Sequence, residues 1–349
     1  MKTRIDKIDK NKICEASIQA AGEILKDGGL VAFPTETVYG LGANALDEEA
    51  AKKTYAAKGR PSDNPLIVHI ARMEDLEAIT THVPELAKTV AEAFWPGPLT
   101  MIFDKSDLVP YGTTGGLDTV AVRMPSDEIA RRVILAGGGY ISAPSANTSG
   151  RPSPTTAEHV AEDLDGRIEM ILDGGAVDIG VESTILDMTV TPPMILRPGA
   201  VTKEMLEELI GEVEVDRTLI EADSKIVPKA PGMKYRHYAP KASLSIVEGK
   251  LEDVISYINR EAGEKIAQGY RIGIIGTTET IEHYHCGDVK CIGTREDEST
   301  IAGRLYGILR EFDADEVDFI YSESFDAGGI GSAVMNRLLK AAGHHVIRL

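Results

Sequence analysis

The stretch LVAFPTETVYGLGANA, residues 30–45, begins as a short apolar run and continues as a loop of small and hydroxyl-bearing residues. Leu30 to Phe33 has the composition of a buried strand, and Pro34 to Ala45 follows it directly. Many α/β folds bind their ligands at the carboxyl ends of such strands. The stretch therefore predicts an α/β fold with a ligand site at this loop, although Gly40 and Gly42 are also compatible with ordinary turn glycines.

Helical and strand patterns alternate on both sides of this stretch. One helix is predicted over Glu15 to Lys26, and another begins at the capping residue Asp47 and runs to about Lys58. Further strands are predicted at Leu66–Ile70, Leu99–Phe103, Thr119–Met124, Ile168–Leu172, Val181–Met188 and Met194–Leu196, and further helices at Pro84–Phe94, Asp127–Leu135, Thr155–Leu164 and Thr202–Ile210. Because the last two strands have no helix between them, we expect a mixed sheet.

The chain changes character after this first region. Residues 216–242 lack sustained periodicity and contain three prolines, which predicts a linker. The alternation beyond it is typical of a small doubly wound α/β domain, with strands at Leu244–Val247, Arg271–Ile275, Phe319–Tyr321 and Val346–Leu349 and helices at Leu251–Ala267, Thr300–Phe312 and Ser332–Ala342. We therefore expect an N-terminal domain over 1–215, a linker over 216–242 and a C-terminal domain over 243–349.

Composition narrows the class of protein. The net charge of −18 argues against a protein that coats nucleic acid without specificity. Ser224 to Ala242 nevertheless holds five Lys/Arg and no acid, so this segment is expected to face an anion. No apolar run approaches the roughly 20 residues of a membrane span. The charged start and the three cysteines give no sign of a signal peptide or disulfide framework, and we expect a cytoplasmic protein.

Two loops carry groups suited to a polyphosphate, and neither is a Walker A or GxGxxG motif. In KGRPSDNP, residues 58–65, a lysine and an arginine flank a glycine at a helix end. The alternative is that Lys58 complements the helix C-terminus and Arg60 is solvated. In SAPSANTSGRPS, residues 142–153, hydroxyls and loop amides are able to form an anion-binding nest, or simply a turn and the cap of a helix near Thr155.

Two arginines stand out in otherwise apolar strands. Arg123 ends the run TVAVR, and a cation on a buried strand needs an anionic partner from the protein or from a ligand. Arg197, before Pro198, poses the same question. No serine–histidine–aspartate arrangement is legible, so no covalent nucleophile is predicted. His283, His285, Cys286 and Cys291 match no standard metal spacing and are interpreted as a solvated loop, so no metal ligand is assigned.

Seven motifs in register carry a resemblance to the YrdC-like family. They are PTETVYGLG, KGR at 58–60 with SAN at 145–147, DTVAVRMP, GVESTILD at 180–187, LRPG at 196–199, PGMKYRHYAP at 231–240 and GGIGSAVMNRLLKAA at 328–342. The last two resemble the long, two-domain form of the threonylcarbamoyl-AMP synthases in that family. The resemblance covers essentially the whole chain; the one variation noted is Glu36, where some relatives carry aspartate, and we attach no consequence to it.

The resemblance implies a fold, a reaction and partners. The fold is a twisted open mixed sheet around a concave cavity, followed by a small Rossmann-like domain. The reaction joins L-threonine, bicarbonate and ATP into threonylcarbamoyl-AMP with release of pyrophosphate, the first step of a tRNA modification next to the anticodon. Magnesium would share the phosphate charge, and a downstream tRNA threonylcarbamoyl transferase would take the product. The resemblance implies no membrane contact and only indirect or weak tRNA contact.

The resemblance also assigns residues to the two substrates. The residues implied to contact ATP are Lys58, Arg60, Asn64, Thr119, Ser145, Asn147, Ser153, Arg197 and, from the linker, Tyr238 as part of a lid. The residues implied to hold threonine are Thr35, His69, Arg123, Ala143 and Ser183, with Arg123 pairing the α-carboxylate.

Three other functions remain open at this point. One is a double-stranded RNA-binding module, against which the net charge of −18 weighs. Another is an enzyme that uses carbamoyl phosphate, although the cysteine-rich modules of those relatives are missing. The third is a translation regulator that has lost activity, against which the intact KGR and SAN motifs argue.

Overall fold

The computed structural model describes residues 2–216, 237–326 and 328–349. These residues form two compact units. Within the described ranges, one unit comprises residues 2–149 and 153–216, and the other comprises 150–152 with 237–349 apart from residue 327. The three-residue segment 150–152 thus groups with the C-terminal unit, although it lies inside the SAPSANTSGRPS loop.

The N-terminal unit alternates short strands and helices. Its strands are β1 (Arg4–Lys7), β2 (Val31–Phe33), β3 (Gly40–Asn44), β4 (Ile67–His69), β5 (Leu99–Asp104), β6 (Thr119–Arg123), β7 (Ile141–Ser142), β8 (Met170–Asp173), β9 (Thr184–Asp187), β10 (Met194–Arg197) and β11 (Glu214–Val215). Its helices are α1 (Glu15–Lys26), α2 (Glu48–Lys58), α3 (Glu74–Ile79), α4 (Glu85–Phe94), α5 (Tyr111–Thr114), α6 (Glu128–Ala136), α7 (Ala157–Leu164) and α8 (Lys203–Ile210).

These strands form one sheet in the order β1-β8-β2-β3-β7-β4-β6-β5-β9-β10-β11. The sheet is mixed: β4 pairs with β6 in parallel, whereas β5–β6 and β9–β10 are antiparallel. The prediction of a mixed sheet from two successive strands without a helix is confirmed at β9 and β10.

The two faces of the central strands differ in what they pack against. Val68, Met101 and Val122 face a large apolar cluster, which includes Leu76 and Ile79 of α3, Val90 of α4 and Leu206 of α8. Alternate residues point to the other face of a strand. There the apolar cluster is small, and its members are Ile67, Ile102, Ala121, Ile185 and Leu196. Polar side chains continue this second face toward the strand ends.

The interpretation of Gly40 and Gly42 as turn glycines is wrong, because both lie in β3. A Cβ on Gly42 would lie 2.6 Å from the ring of Phe33, and one on Gly40 would lie 3.1 Å from Cβ of Ala143. Glycine is present here because neighbouring strands approach closely. The sequence also gave no prediction for the short strands β1 and β11 or for helices α3 and α5.

The C-terminal unit contains one parallel sheet. Its elements are β12 (Ser243–Glu248), α9 (Leu251–Ala267), β13 (Ile272–Gly276), β14 (Asp288–Cys291), α10 (Glu298–Ala314), β15 (Phe319–Glu323), α11 (Gly331–Ala341) and β16 (Val346–Arg348). The strand order is β14-β13-β15-β12-β16, and every pairing within it is parallel. The predicted parallel α/β domain is confirmed, with β15 inserted between β12 and β13.

Two segments differ from expectation or lie partly outside the described residues. The segment interpreted as a solvated loop instead contains a 3-10 turn, Ile281–His283, and the edge strand β14. Most of the predicted linker, residues 217–236, lies outside the described residues. Its described end, His237 to Ala242, belongs to the C-terminal unit. Within the described ranges, no helix has the length and apolar character needed to cross a bilayer.

Candidate active site

Strand register places five polar side chains along one edge of the small apolar cluster. His69 of β4 is opposite Arg123 of β6, and Arg123 is opposite Thr100 of β5. Thr100 is in register with Ile185 of β9, which also pairs with Arg197 of β10. Ser183 lies two residues before Ile185, and its Oγ is 2.8 Å from Oγ1 of Thr100. We call this set the polar row: His69, Arg123, Thr100, Ser183 and Arg197.

Arg123 is buried, and its guanidinium group meets groups of this chain on three sides. Nη1 donates to Oγ1 of Thr37 at 2.9 Å, and Nε donates to the carbonyl oxygen of Gly97 at 3.4 Å. Nη2 lies 2.8 Å from Oε1 of Glu36. We expected an anionic partner for Arg123 from its place in an apolar strand, and the carboxylate of Glu36 is that partner.

His69 is held as a neutral ring. Its side chain is buried, and Nδ1 lies 3.1 Å from the carbonyl oxygen of Ile67. Burial, and to a smaller extent the nearby charge of Arg123, together lower the pKa of His69 to about 3. A neutral imidazole can accept or donate one hydrogen bond without adding a charge beside Arg123.

The loop after β2 is fixed by its own hydroxyl groups. Oγ1 of Thr35 donates to the carbonyl oxygen of Val38 at 2.7 Å, and this hydroxyl oxygen of Thr35 also accepts from the amide of Thr37 at 3.2 Å. Ala143, the first residue after β7, donates its amide to the carbonyl oxygen of Ile67 at 2.9 Å. Thr35 and Ala143 are both buried, so these two residues predicted to bind the substrate threonine lie on backbone that is fixed by hydrogen bonds.

Lys58 ends α2 and is buried, although lysine is rarely buried without partners. Its ammonium group donates hydrogen bonds to the backbone carbonyl oxygens of Ser145 and Asn147. The carbonyl oxygen of Lys58 in turn accepts from the amide of Ser149 at 2.8 Å. Lys58 therefore links the two loops that are predicted to bind the nucleotide, KGRPSDNP and SAPSANTSGRPS. The sequence alone gave no sign that these two loops are in contact.

Arg60 and Asn64 stiffen the first of these loops. Arg60 donates from Nη2 to the carbonyl oxygen of Pro65 at 3.0 Å and from Nε to that of Asn64 at 3.3 Å. The interpretation of Arg60 as a merely solvated side chain is therefore wrong. Asn64 is buried, and its Oδ1 has no hydrogen-bond partner among the described residues. Such a buried acceptor is suited to a donor on a ligand.

Arg197 and the two ends of the second loop complete the arrangement. Arg197 donates to both the carbonyl oxygen and the hydroxyl group of Ser183, at 3.0 and 3.1 Å. Ser153 donates its hydroxyl to Oε1 of Glu182 at 2.5 Å. The helix after this loop is capped by Thr156, next to Thr155, through a hydrogen bond that its hydroxyl accepts from the amide of His159.

The remaining two predicted residues are placed separately. Thr119 begins β6 and shares a strand face with Arg123. Tyr238 is buried in the C-terminal unit, where its ring stacks on Tyr306 with centroids 5.3 Å apart. The guanidinium of Arg337 lies 5.7 Å from the centroid of the same ring.

Two family models match the chain in succession. The model described as "Telomere recombination", which covers the Sua5, YciO and YrdC proteins, matches residues 23–199. The model described as "Threonylcarbamoyl-AMP synthase, C-terminal domain" matches residues 201–343. The chain belongs to the two-domain threonylcarbamoyl-AMP synthase family.

Full-length relatives of this synthase family agree. The threonylcarbamoyl-AMP synthase of Bacillus subtilis is 50% identical over 352 residues, covering 100% of both chains. That of Pyrococcus abyssi is 49% identical over 340 residues, 97% of this chain and 98% of the relative. The crystal structure of P. abyssi Sua5 complexed with L-threonine matches with 47% identity and a TM-score of 0.95, covering 99% of this chain and 100% of that one. The resemblance noted from the motifs is thus confirmed at the level of family and fold.

Sequence reasoning on this synthase-family chain missed four residues that touch the predicted ones. Thr37 and Glu36 contact Arg123, Thr100 contacts Ser183, and Glu182 contacts Ser153. Thr100 had a usable signal, because it is a hydroxyl residue inside the apolar run LTMIF. Glu36 and Glu182 lay within quoted motifs, but their partners are distant in sequence.

Proposed function

We propose that this protein is an L-threonylcarbamoyladenylate synthase, which converts L-threonine, bicarbonate and ATP into threonylcarbamoyl-AMP and pyrophosphate. The observation that carries the proposal is the match, at 47% identity and a TM-score of 0.95, to a relative solved with L-threonine. The buried arginines and hydroxyl groups of the polar row support it, because they suit carboxylate and phosphate groups.

The residue assignments are part of this proposal. Threonine is held by Thr35, His69, Arg123, Ala143 and Ser183. ATP is held by Lys58, Arg60, Asn64, Thr119, Ser145, Asn147, Ser153, Arg197 and Tyr238. Two contacts support the division: the guanidinium of Arg123 faces the Thr35–Val38 turn through Thr37, and Lys58 orders the backbone of the loop that carries Ser145 and Asn147.

The proposed reaction depends on positioning and on charge neutralisation. The amine of threonine takes up bicarbonate as a carbamate, and a carbamate oxygen then attacks the α-phosphate while pyrophosphate leaves. Holding two reactants in place and neutralising phosphate charge are the contributions such a step requires. Lys58, Arg60 and Arg197 would supply the charge, and no side chain is needed as a covalent nucleophile.

Magnesium fits this site as an ion carried largely by ATP. Among the described residues no group of three or more His, Cys, Asp or Glu side chains is arranged to hold a metal. Mg²⁺ at nucleotide sites is bound mainly by phosphates and water, with few carboxylates. When bound, it would neutralise phosphate charge alongside the cations of this chain.

The chemistry of the product indicates which enzyme must use it next. Threonylcarbamoyl-AMP is a mixed anhydride that hydrolyses readily, so a transferase that moves the threonylcarbamoyl group to tRNA must consume it. We propose that tRNA contacts this protein weakly or indirectly, and that the activity resides in the cytoplasm with its tRNA substrate.

The proposal is tested by product identification. The purified full-length chain is incubated with threonine, ATP, magnesium and carbon-13 bicarbonate. The nucleotides are then separated by chromatography, and their masses are measured by mass spectrometry. The expected product is threonylcarbamoyl-AMP that carries the label. Formation of AMP or ADP alone, with no labelled adduct, would overturn the proposal.

A further inference from the structure

Glu36 is a buried carboxylate in the loop between β2 and β3. Its side chain is 6% exposed. Its backbone is fixed, because its carbonyl oxygen accepts from the amide of Ile179 at 2.9 Å and that of Thr37 accepts from Gly180 at 3.1 Å. The carboxylate is therefore held inside the protein at a set position beside Arg123.

The side chain of Glu36 is incompletely satisfied. Oε1 lies 2.8 Å from Nη2 of Arg123, but the contact is not aligned as a hydrogen bond, and neither carboxylate oxygen has a hydrogen-bond partner among the residues that the structure describes. Nη2 of Arg123 likewise has none. Buried ionised groups are normally both paired and hydrogen-bonded. The two charges balance, but the carboxylate of Glu36 lacks a hydrogen-bond donor and Nη2 of Arg123 lacks an acceptor among the described residues. This indicates a ligand that supplies both a donor and an acceptor.

A zwitterionic α-amino acid supplies both. Its carboxylate offers acceptors to Arg123, and its ammonium group, one carbon away, offers donors to Glu36. A divalent cation fits less well, since it needs several oxygen ligands and Glu36 belongs to no metal-binding group among the described residues. We propose that Glu36 binds the α-ammonium group of threonine and accepts the proton that this group must lose before the carbamate forms. The proposal rests on the proposed function.

The proton balance of the step is simple. An ammonium group has no lone pair, so one proton passes from nitrogen to a Glu36 oxygen and leaves a neutral amine. The amine nitrogen then forms a bond to the bicarbonate carbon, the bond from that carbon to its hydroxyl oxygen breaks, and one further proton leaves nitrogen with that oxygen as water. The products are the carbamate, water and protonated Glu36, which returns its proton to solvent.

The groups around Glu36 favour this role. Arg123 on β6 faces it, and His69 on β4 stays neutral because its pKa is about 3. Asp127 caps the start of α6, and burial is the main cause that raises the pKa of its carboxyl group; the charge of Glu36 contributes a little in the same direction. Nζ of Lys10 lies 3.9 Å from Oδ2 of Asp127. His69 therefore carries no charge that would change between about pH 5 and pH 8, the range in which histidine normally titrates.

The test compares full-length wild type with Glu36→Gln and Glu36→Asp. The rate kcat/KM for threonine is measured against pH at saturating ATP and bicarbonate. Glu36→Gln should lose about 10²–10⁴-fold at neutral pH, the usual contribution of a general base, and recover as pH rises toward the pKa of the substrate amine. Glu36→Asp should retain most of the rate. Glu323→Gln, which changes a buried carboxylate facing Arg295 in the C-terminal unit, is the matched control and should keep the wild-type pH profile.

Calorimetry supplies a second readout that needs no turnover. Wild type should bind L-threonine more tightly than the analogue whose α-amino group is replaced by hydroxyl, and Glu36→Gln should lose that preference. An unchanged pH profile in Glu36→Gln, or an unchanged preference for the amine, would overturn the inference. If Glu36→Gln does not fold, equal binding of both compounds by wild type would overturn it. If wild type makes no adduct but still prefers the amine, the proposed function fails and the binding role of Glu36 stands.

Discussion

Arg197 donates two hydrogen bonds to Ser183, from Nε to the carbonyl oxygen of Ser183 at 3.0 Å and from Nη2 to the hydroxyl group of Ser183 at 3.1 Å. The proposed function assigns the arginine to ATP and the serine to threonine. Because a planar guanidinium fixes both atoms of its partner, the two proposed substrate positions share one rigid contact. Under the proposed assignment, the pair would couple the positions at which the carbamate and the α-phosphate meet.

The two arginines of the polar row should respond differently to the same substitution. Arg123→Lys should raise the threonine requirement more than the ATP requirement, because a lysine cannot reproduce the fork that faces Thr37, Gly97 and Glu36. Arg197→Lys is the comparison and should raise both requirements, since it releases Ser183 as well. KM values for each substrate check this, and an equal rise for both substrates in Arg123→Lys would contradict its assignment to threonine.

Lys58→Met should cut turnover by about 10²–10³-fold, the usual cost of one positioned electrostatic contact, and leave the secondary structure intact. The change removes the two hydrogen bonds that hold the carbonyl oxygens of Ser145 and Asn147, so the loop loses its order. Steady-state kinetics and circular dichroism measure the two effects. Lys52→Met, on the exposed face of the same helix, is the control and should behave as wild type. Near-normal turnover in Lys58→Met would show that this lysine is dispensable.

Gly199→Ala should destabilise the N-terminal unit by about 1–3 kcal/mol, the usual cost of overpacking. The added Cβ would lie 2.3 Å from the backbone nitrogen of Thr184 and would push the start of β9, which Ser183 directly precedes. Gly307→Ala, in the interior of α10, meets nothing within 4 Å and should instead stabilise the chain by about 0.5–1 kcal/mol. Thermal unfolding followed by circular dichroism distinguishes the two, and similar melting temperatures would contradict the packing argument.

His69 should make stability depend on pH below neutrality. Its pKa is about 3 in the folded chain and about 6.5 in the unfolded chain, so the unfolded chain binds a proton first as the pH falls. The stability that the neutral ring contributes is present above pH ~6.5 and is lost as pH falls toward ~3. The difference in melting temperature between wild type and His69→Gln should therefore narrow from about pH 7 to about pH 4. A difference that stays constant with pH would mean that His69 titrates normally.

Local signals predicted the helices well. The bounds of α1 and α9 agree with the sequence prediction, and Asp47 caps α2 as expected, accepting from the amide of Glu49. Strand β3 was missed because Gly40 and Gly42 have turn-like composition, whereas close packing on Phe33 and Ala143 decides their conformation. Tertiary approach of this kind leaves little trace in a local pattern.

The candidate site was predictable in its residue types and not in its connections. Lys58 was recognised as a cation beside a glycine at a helix end, and Arg123 as a cation on a buried strand that needs a partner. Their partners, the carbonyl oxygens of Ser145 and Asn147 and the carboxylate of Glu36, lie in loops that only the tertiary fold brings beside these cations. Glu36 looked like an inconsequential variant until its contact with Arg123 was known.

The central claim is that threonine and bicarbonate together drive cleavage of ATP between its α- and β-phosphates. Pyrophosphate release by the full-length chain measures this directly, with threonine, bicarbonate or both omitted. The proposed chemistry predicts release only when both are present, and its loss in Lys58→Met. Release that is equally fast without threonine or without bicarbonate, or release of inorganic phosphate in place of pyrophosphate, would contradict it.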